Sequence, residues 1–281
     1  MGGLTQGYQG DFISHETLPD EGHWGAKTAN TNWCEEDYVF TPYVAELGSS
    51  LSSLALVCNG LYGLFMHWSS VETRYLLAYV VLVVVGLGSS LFHATLRREY
   101  QLLDELPMMW GNGVFIYIVQ CMSDKLGQPR VGLTACIVAA EVIGSTLVIL
   151  FDDKDQTIFL ICYGGGVAYL MISSWALNDK FNPSKDVVLL ETSILFYVGG
   201  LLLWLIDRHY CHEVVAGLHI RSMYLHCFWH FGAGLGTFLS VLFWIFTRNA
   251  FLKRAQTLRG CTPADYWIEL LEDGQAAKLT Q

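Results

Sequence analysis

The chain alternates long apolar runs with short polar connections. Seven runs stand out, at roughly 43–66, 74–96, 101–122, 130–151, 157–177, 186–207 and 222–247. Each is close to the roughly 20 residues that a helix needs to cross a bilayer. The connections are short and charged, as in Arg97-Arg98-Glu99, Asp152-Asp153-Lys154-Asp155 and Asn178-Asp179-Lys180; the longest runs from Arg208 to Arg221. Tyr43, Trp68, Tyr75, Trp175, Trp204, Tyr224 and Trp244 fall near run ends, where amphipathic rings anchor at the membrane interface. The pattern predicts an all-α membrane protein: seven transmembrane helices over 43–247, preceded by a polar arm (1–42) and followed by a polar tail (248–281). Gly111-x-Gly113 and Gly164-Gly165-Gly166 lie inside runs with no strand before them. They read as close-packing points between helices, not as phosphate loops.

Composition agrees, with 53% hydrophobic and only 15% charged residues. The net charge is -10, with no Lys/Arg cluster on the scale of a nucleic-acid patch, which argues against nucleic acid as a partner; no protein partner is implied either. The eight cysteines include no C-x-x-C pair, so neither a zinc ribbon nor a thioredoxin-like site is indicated. The arm is acidic, with Asp11, Glu16, Asp20, Glu21, Glu35, Glu36 and Asp37 against Lys27 alone. Its start resembles neither a cleavable signal peptide nor, with Gln6 where Ser or Thr is wanted, a myristoylation site. Alternating spans put six Lys/Arg on the side of the N-terminus and ten on the other. That bias predicts a cytosolic C-terminus and a lumenal or external N-terminus. The end Lys278-Leu279-Thr280-Gln281 matches no retrieval signal, so endoplasmic reticulum and Golgi membranes stay equally open.

Polar residues inside the runs carry the candidate chemistry. His226 and His230 are four apart at the start of the last run, one turn apart on a single helix face. Ionisable groups at membrane depth are costly and point to function. His93 ends the second run, with Ser89 one turn before it, and Asp104 opens the third. Alternating spans bring all of these toward the face that carries the N-terminus. Three histidines with an open position suit catalytic zinc, which would activate water and polarise a carbonyl. Asp104 is then the candidate for orienting or deprotonating that water, and Ser89 the candidate donor to an oxyanion. A hydrolase with a lipid substrate is the leading chemical expectation.

Plainer roles stay open for the same residues. His93 alone could be an interfacial hydrogen-bonding residue, Asp104-Glu105 could mark a helix start, and Ser89 could be a small packing residue. His209-Tyr-Cys-His212-Glu213 reads as a solvated loop, and Asp207 as an interfacial or helix-end residue.

From about Trp24 to Arg248 the sequence resembles the alkaline ceramidase family. The resemblance is carried by His23-Trp24-Gly25, Asn32-Trp33-Cys34-Glu35-Glu36-Asp37-Tyr38, Ala45-Glu46, Gly88-Ser89 through His93-Ala-Thr-Leu, Gln101-Leu-Leu-Asp104-Glu-Leu-Pro, Trp204-Leu-Ile-Asp207 with Cys211, and His226 to His230, in this order and spacing. It implies a seven-span, zinc-dependent amidase that cleaves ceramide to a sphingoid base and a free fatty acid. It implies zinc on His93, His226 and His230, with Ser89 and Asp104 beside the catalytic water. It further implies a supporting calcium site on Asn32, Trp33 (through its carbonyl), Glu35, Asp37 and Glu46, oxygen ligands of the kind calcium takes. Where the family often has Asp first and Asn fourth, this chain has Asn32 and Asp37, which keeps the total charge but moves it. Cys34 and Cys211 both fall outside the spans on one side; a disulfide, if that side is lumenal, and two free thiols are the alternatives.

Two other classes compete: a seven-span receptor or sensor with a structural zinc, and a transporter or channel using intramembrane charges. A closed four-ligand metal site would favour the former. The clustering of polar groups at one depth counts against the latter.

Overall fold

The computed structural model describes residues 21–271 apart from 127, 129, 152–155, 182–186, 220–221, 255, 261 and 264–265. The start of the arm, the connection Asp152-Asp153-Lys154-Asp155 and the chain end from 272 therefore lie outside the described residues.

The described chain is almost entirely helical. The first apolar run forms α1 (Leu47–Ser52) and α2 (Leu54–His67), separated at Ser53. Then come α3 (Thr73–Thr95), α4 (Arg98–Gln120), α5 (Val131–Phe151), α6 (Thr157–Phe181), α7 (Val187–Leu218) and α8 (Leu225–Phe251). Six stretches are long and apolar enough to cross a membrane, with α1 and α2 counted as one. The remaining long helix, α4, is absent from that set. It has 23 residues and includes Arg98, Glu99, Asp104 and Glu105, and this polar start depresses its mean hydropathy.

The longest expected connection is corrected. Arg208 to Leu218 continues α7 as helix, so His209 to Glu213 lie on a helix and not in a loop. Ala, Val and Leu in that segment keep it compatible with helix, and its charged residues simply ride on the extension.

Helix α8 lies at the centre. Its apolar window is 72% buried, against 17% for α5 and α6. It packs tightly on α7 because small residues face each other. A Cβ at Gly232 would sit 2.6 Å from the Phe196 carbonyl oxygen and 2.9 Å from the Gly200 Cα. This is the small-residue packing that lets membrane helices approach closely. The glycine expectation holds only in part, since a Cβ at Gly166 would press on Asn112 whereas Gly164 and Gly165 have nothing within 4 Å.

After α8 the chain forms an antiparallel hairpin, β1 (Gln256–Arg259) and β2 (Trp267–Leu270), in the register Gln256↔Leu270 to Arg259↔Trp267. Ile268 from β2 enters the core, and its amide donates to Nε2 of buried His67 at 3.1 Å. At the opposite end of the bundle, the described part of the arm is strapped across the helix ends. Thr28 and Ala29 donate to the Leu96 carbonyl, Ala45 to Ala94 and Glu46 to His93, all at 3.0–3.1 Å.

Candidate metal centre and active site

Two helices supply the centre. His93 stands near the end of α3 and His226 and His230 on the first turns of α8. All three are buried, and their candidate ligand atoms lie within 4.8 Å of one another. Nε2 of His93 and Nδ1 of His226 are buried with no hydrogen-bond partner among the described residues. Such orphaned polar atoms are rare and costly in a protein interior. Two lone pairs aimed into one space, beside a third imidazole, suit a cation; this group can hold a metal ion.

The outer nitrogens of His93 and His230 are held by hydrogen bonds. Glu46 Oε2 lies 2.5 Å from His93 Nδ1, an arrangement that leaves Nε2 free to coordinate. His230 Nδ1 lies 2.8 Å from Ser52 Oγ. His226 is covered by the Trp33 indole, stacked at 3.8 Å between ring centroids and 19° between planes. The serine-rich break between α1 and α2 thus faces the histidines of α8. The sequence offered a signal here, Ser49-Ser50-Leu51-Ser52-Ser53 inside an apolar run, but the run's length masked it.

Ser89 and Asp104 come together beside His230. The Ser89 hydroxyl is 3.3 Å from His230 Nε2, accepts from Ser53 Oγ at 3.0 Å and shares a hydrogen bond with the Asp104 carboxylate. Close approach of α3 and α4 makes this possible. Pro107 has no N–H to offer the Leu103 carbonyl one turn back, and Gly88 packs where a Cβ would collide with that carbonyl.

The acidic arm lies alongside. Glu46 Oε1 accepts the Trp33 amide at 3.0 Å. The Glu35 carboxylate accepts the Gly48 and Ser49 amides at 2.5 and 2.8 Å. Asn32 Nδ2 donates to Asp37 Oδ2 at 3.1 Å, and Lys27 pairs with the same carboxylate. Asp37 Oδ1 is buried without a partner among the described residues. Cys34 and Cys211 form a disulfide.

Asp207 corrects the expectation of an interfacial or helix-end residue. It is only 2% exposed, well inside α7, and accepts the Cys34 amide at 3.0 Å and the His226 amide at 3.2 Å. His209, on the same helix, is not part of the histidine group.

A cavity of about 340 Å³ opens from the centre into the bundle. Trp33, Ser89, Asp104, His226 and His230 line its head, and apolar residues such as Val85, Phe159, Leu170 and Trp244 line its length. A mostly apolar cavity ending in a few convergent polar groups suits a long-chain ligand.

Fold and site together define a helical multi-pass membrane protein with a buried three-histidine centre. The family model "Ceramidase" matches residues 25–266. Mouse (Mus musculus) alkaline ceramidase 3 is 32% identical over 256 residues, 87% of this chain and 94% of the relative. Alkaline ceramidase YPC1 of Saccharomyces cerevisiae is 27% identical, covering 79% of this chain and 77% of its own. Human (Homo sapiens) alkaline ceramidase 1 is 27% identical, covering 73% and 77%. The chain belongs to the ceramidase family, hydrolases that act on the amide bond of ceramide.

Proposed function

We propose that this chain hydrolyses ceramide to a sphingoid base and a free fatty acid at its three-histidine centre, with zinc as the metal. One observation carries the reading: the orphaned nitrogens of His93 and His226 converge with His230 at the head of an apolar cavity. Three neutral imidazoles with room for a further ligand suit zinc better than the oxygen-seeking hard cations. When bound, zinc supplies Lewis acidity, which makes water nucleophilic near neutrality and polarises an amide carbonyl.

The chain's own groups do the rest. The Asp104 carboxylate takes a proton from the attacking water and holds it beside Ser89. As the tetrahedral carbon collapses and its C–N bond breaks, Asp104 passes that proton to the departing nitrogen. The Ser89 hydroxyl donates to the oxygen on which negative charge develops. Trp33 and the imidazoles wall off the head of the cavity, and its apolar length accepts a hydrocarbon chain.

Around this centre we propose a catalytic bundle over 43–247 with seven spans, α4 being the additional one. Its length supports this, and its Asp104 and Glu105 face the cavity, where polar groups can be tolerated in a span. The acidic arm, 1–42, is proposed to hold calcium through Asn32, the Trp33 carbonyl, Glu35, Asp37 and Glu46. Asp37 Oδ1, buried without a partner among the described residues, and the nearby carboxylates support this. The excess of Lys and Arg on the other side supports a cytosolic C-terminal tail, 248–281, with the arm in the lumen of the endoplasmic reticulum or Golgi.

The test is purified protein in detergent micelles given ceramide. Fatty acid is released, the release stops on chelation, and it returns with added zinc. Release that survives complete metal removal, or no release in any state, would overturn the reading.

A further inference from the structure

We propose that Asp207 is the positioning residue of the metal centre, setting His226 through its backbone amide at the start of α8. The inference rests on the proposal that the three histidines hold a metal.

The N-terminus of a helix leaves its first backbone N–H groups without intrahelical partners. In α8 those groups lie beside the histidines, since the helix starts at Leu225 and His226 is its second residue. The residue before it, Tyr224, provides no side-chain cap, and the first turn of α8 contains no acid. The cap comes from another helix. Asp207 reaches across from α7, and Oδ2 accepts the His226 amide at 3.2 Å; the Leu225 amide also bonds to this carboxylate. A carboxylate at this position satisfies the orphaned donors and complements the positive end of the helix.

The other oxygen, Oδ1, accepts the Cys34 amide at 3.0 Å. One turn along α7, Cys211 binds the same residue covalently through the disulfide. The Met223 amide donates to the Cys34 carbonyl at 3.1 Å. Cys34 is therefore held at its amide, its sulfur and its carbonyl, which fixes Trp33 directly before it. Trp33 is the ring stacked on His226. A single carboxylate thus holds His226 by its backbone and by the ring that covers it. Outer groups of this kind fix ligand orientation in metal sites.

The experiment is a metal titration of the purified full-length protein, stripped and reloaded, with cobalt absorbance as the direct readout and zinc by competition. Asp207→Ala is expected to weaken metal binding by about tenfold or more. Asp207→Asn keeps one acceptor but turns an N–H toward a backbone N–H, and weakens binding to a lesser degree. Should Asp207→Ala not yield folded protein, the Asp207→Asn titration decides. Binding within twofold of the unaltered protein in the variants recovered would overturn the proposal. So would a Cys211→Ser variant that matches the whole loss, since the tether alone would then explain it. If the unaltered protein takes up no metal, the three-histidine reading fails instead, and the two failures are distinguishable.

Discussion

Glu46 joins two parts of the molecule that lie far apart in sequence: one carboxylate oxygen is 2.5 Å from His93 Nδ1 and the other accepts the Trp33 amide at 3.0 Å. It therefore holds one of the three histidines and the backbone of the arm at once. With no exposure to solvent, the carboxylate depends on these partners for its polar contacts.

Removing that carboxylate should loosen the metal. Glu46→Gln is expected to reduce metal affinity by roughly 10–100-fold, the usual effect of losing a histidine's carboxylate partner. Competition titration against a chelator of known affinity measures this. A change under twofold would exclude Glu46 from the centre.

The ligand assignment has a sharper test. His226→Ala and His230→Ala should each lose bound metal and ceramide hydrolysis together, as measured by elemental analysis and fatty-acid release. Full activity with retained metal in either variant would remove that histidine from the centre.

Asp104→Asn should separate chemistry from binding. Asp104 is not among the converging nitrogen ligands, so the variant keeps its metal. Its turnover is expected to fall by about 10²–10⁴, the range for a lost acid–base group. Ser89→Ala should cost about 10²–10³ as the loss of an oxyanion donor. Wild-type turnover in either would dismiss the role proposed for that residue.

Trp33 tests whether a ring is needed over His226. An aromatic pair contributes about 0.5–1.5 kcal/mol beyond its buried area, so Trp33→Ala should weaken metal binding by up to about tenfold. Trp33→Phe keeps a ring and should recover much of the loss. Equal effects of the two substitutions would mean that stacking on His226 contributes nothing.

Gly88→Ala tests the approach of α3 to α4. The added methyl collides with the Leu103 carbonyl, and overpacking of this kind costs about 1–3 kcal/mol. Thermal unfolding in detergent should show the loss, accompanied by lower turnover because Ser89 and Asp104 move apart. A variant as stable and active as the parent would mean that the helices separate freely.

The sequence by itself determined most of the helices and singled out the three histidines that the fold gathers. Apolar runs of bilayer length are a local property, and so is the four-residue spacing of His226 and His230, which the helical period places on one face. Order along alternating spans was enough to bring His93, Ser89 and Asp104 toward the same end. What only the tertiary structure decided depends on contacts between distant segments. Asp207 looks like a helix-end residue until the length of α7 and the start of α8 are known, because its donors belong to Cys34, Leu225 and His226. Ser52 and Ser53 disappear into an apolar run until the fold sets them against His230. The pairing of Cys34 with Cys211 needed the same knowledge. Periodicity records which face of a helix is apolar; which polar atom on another helix meets it is fixed only when the helices pack.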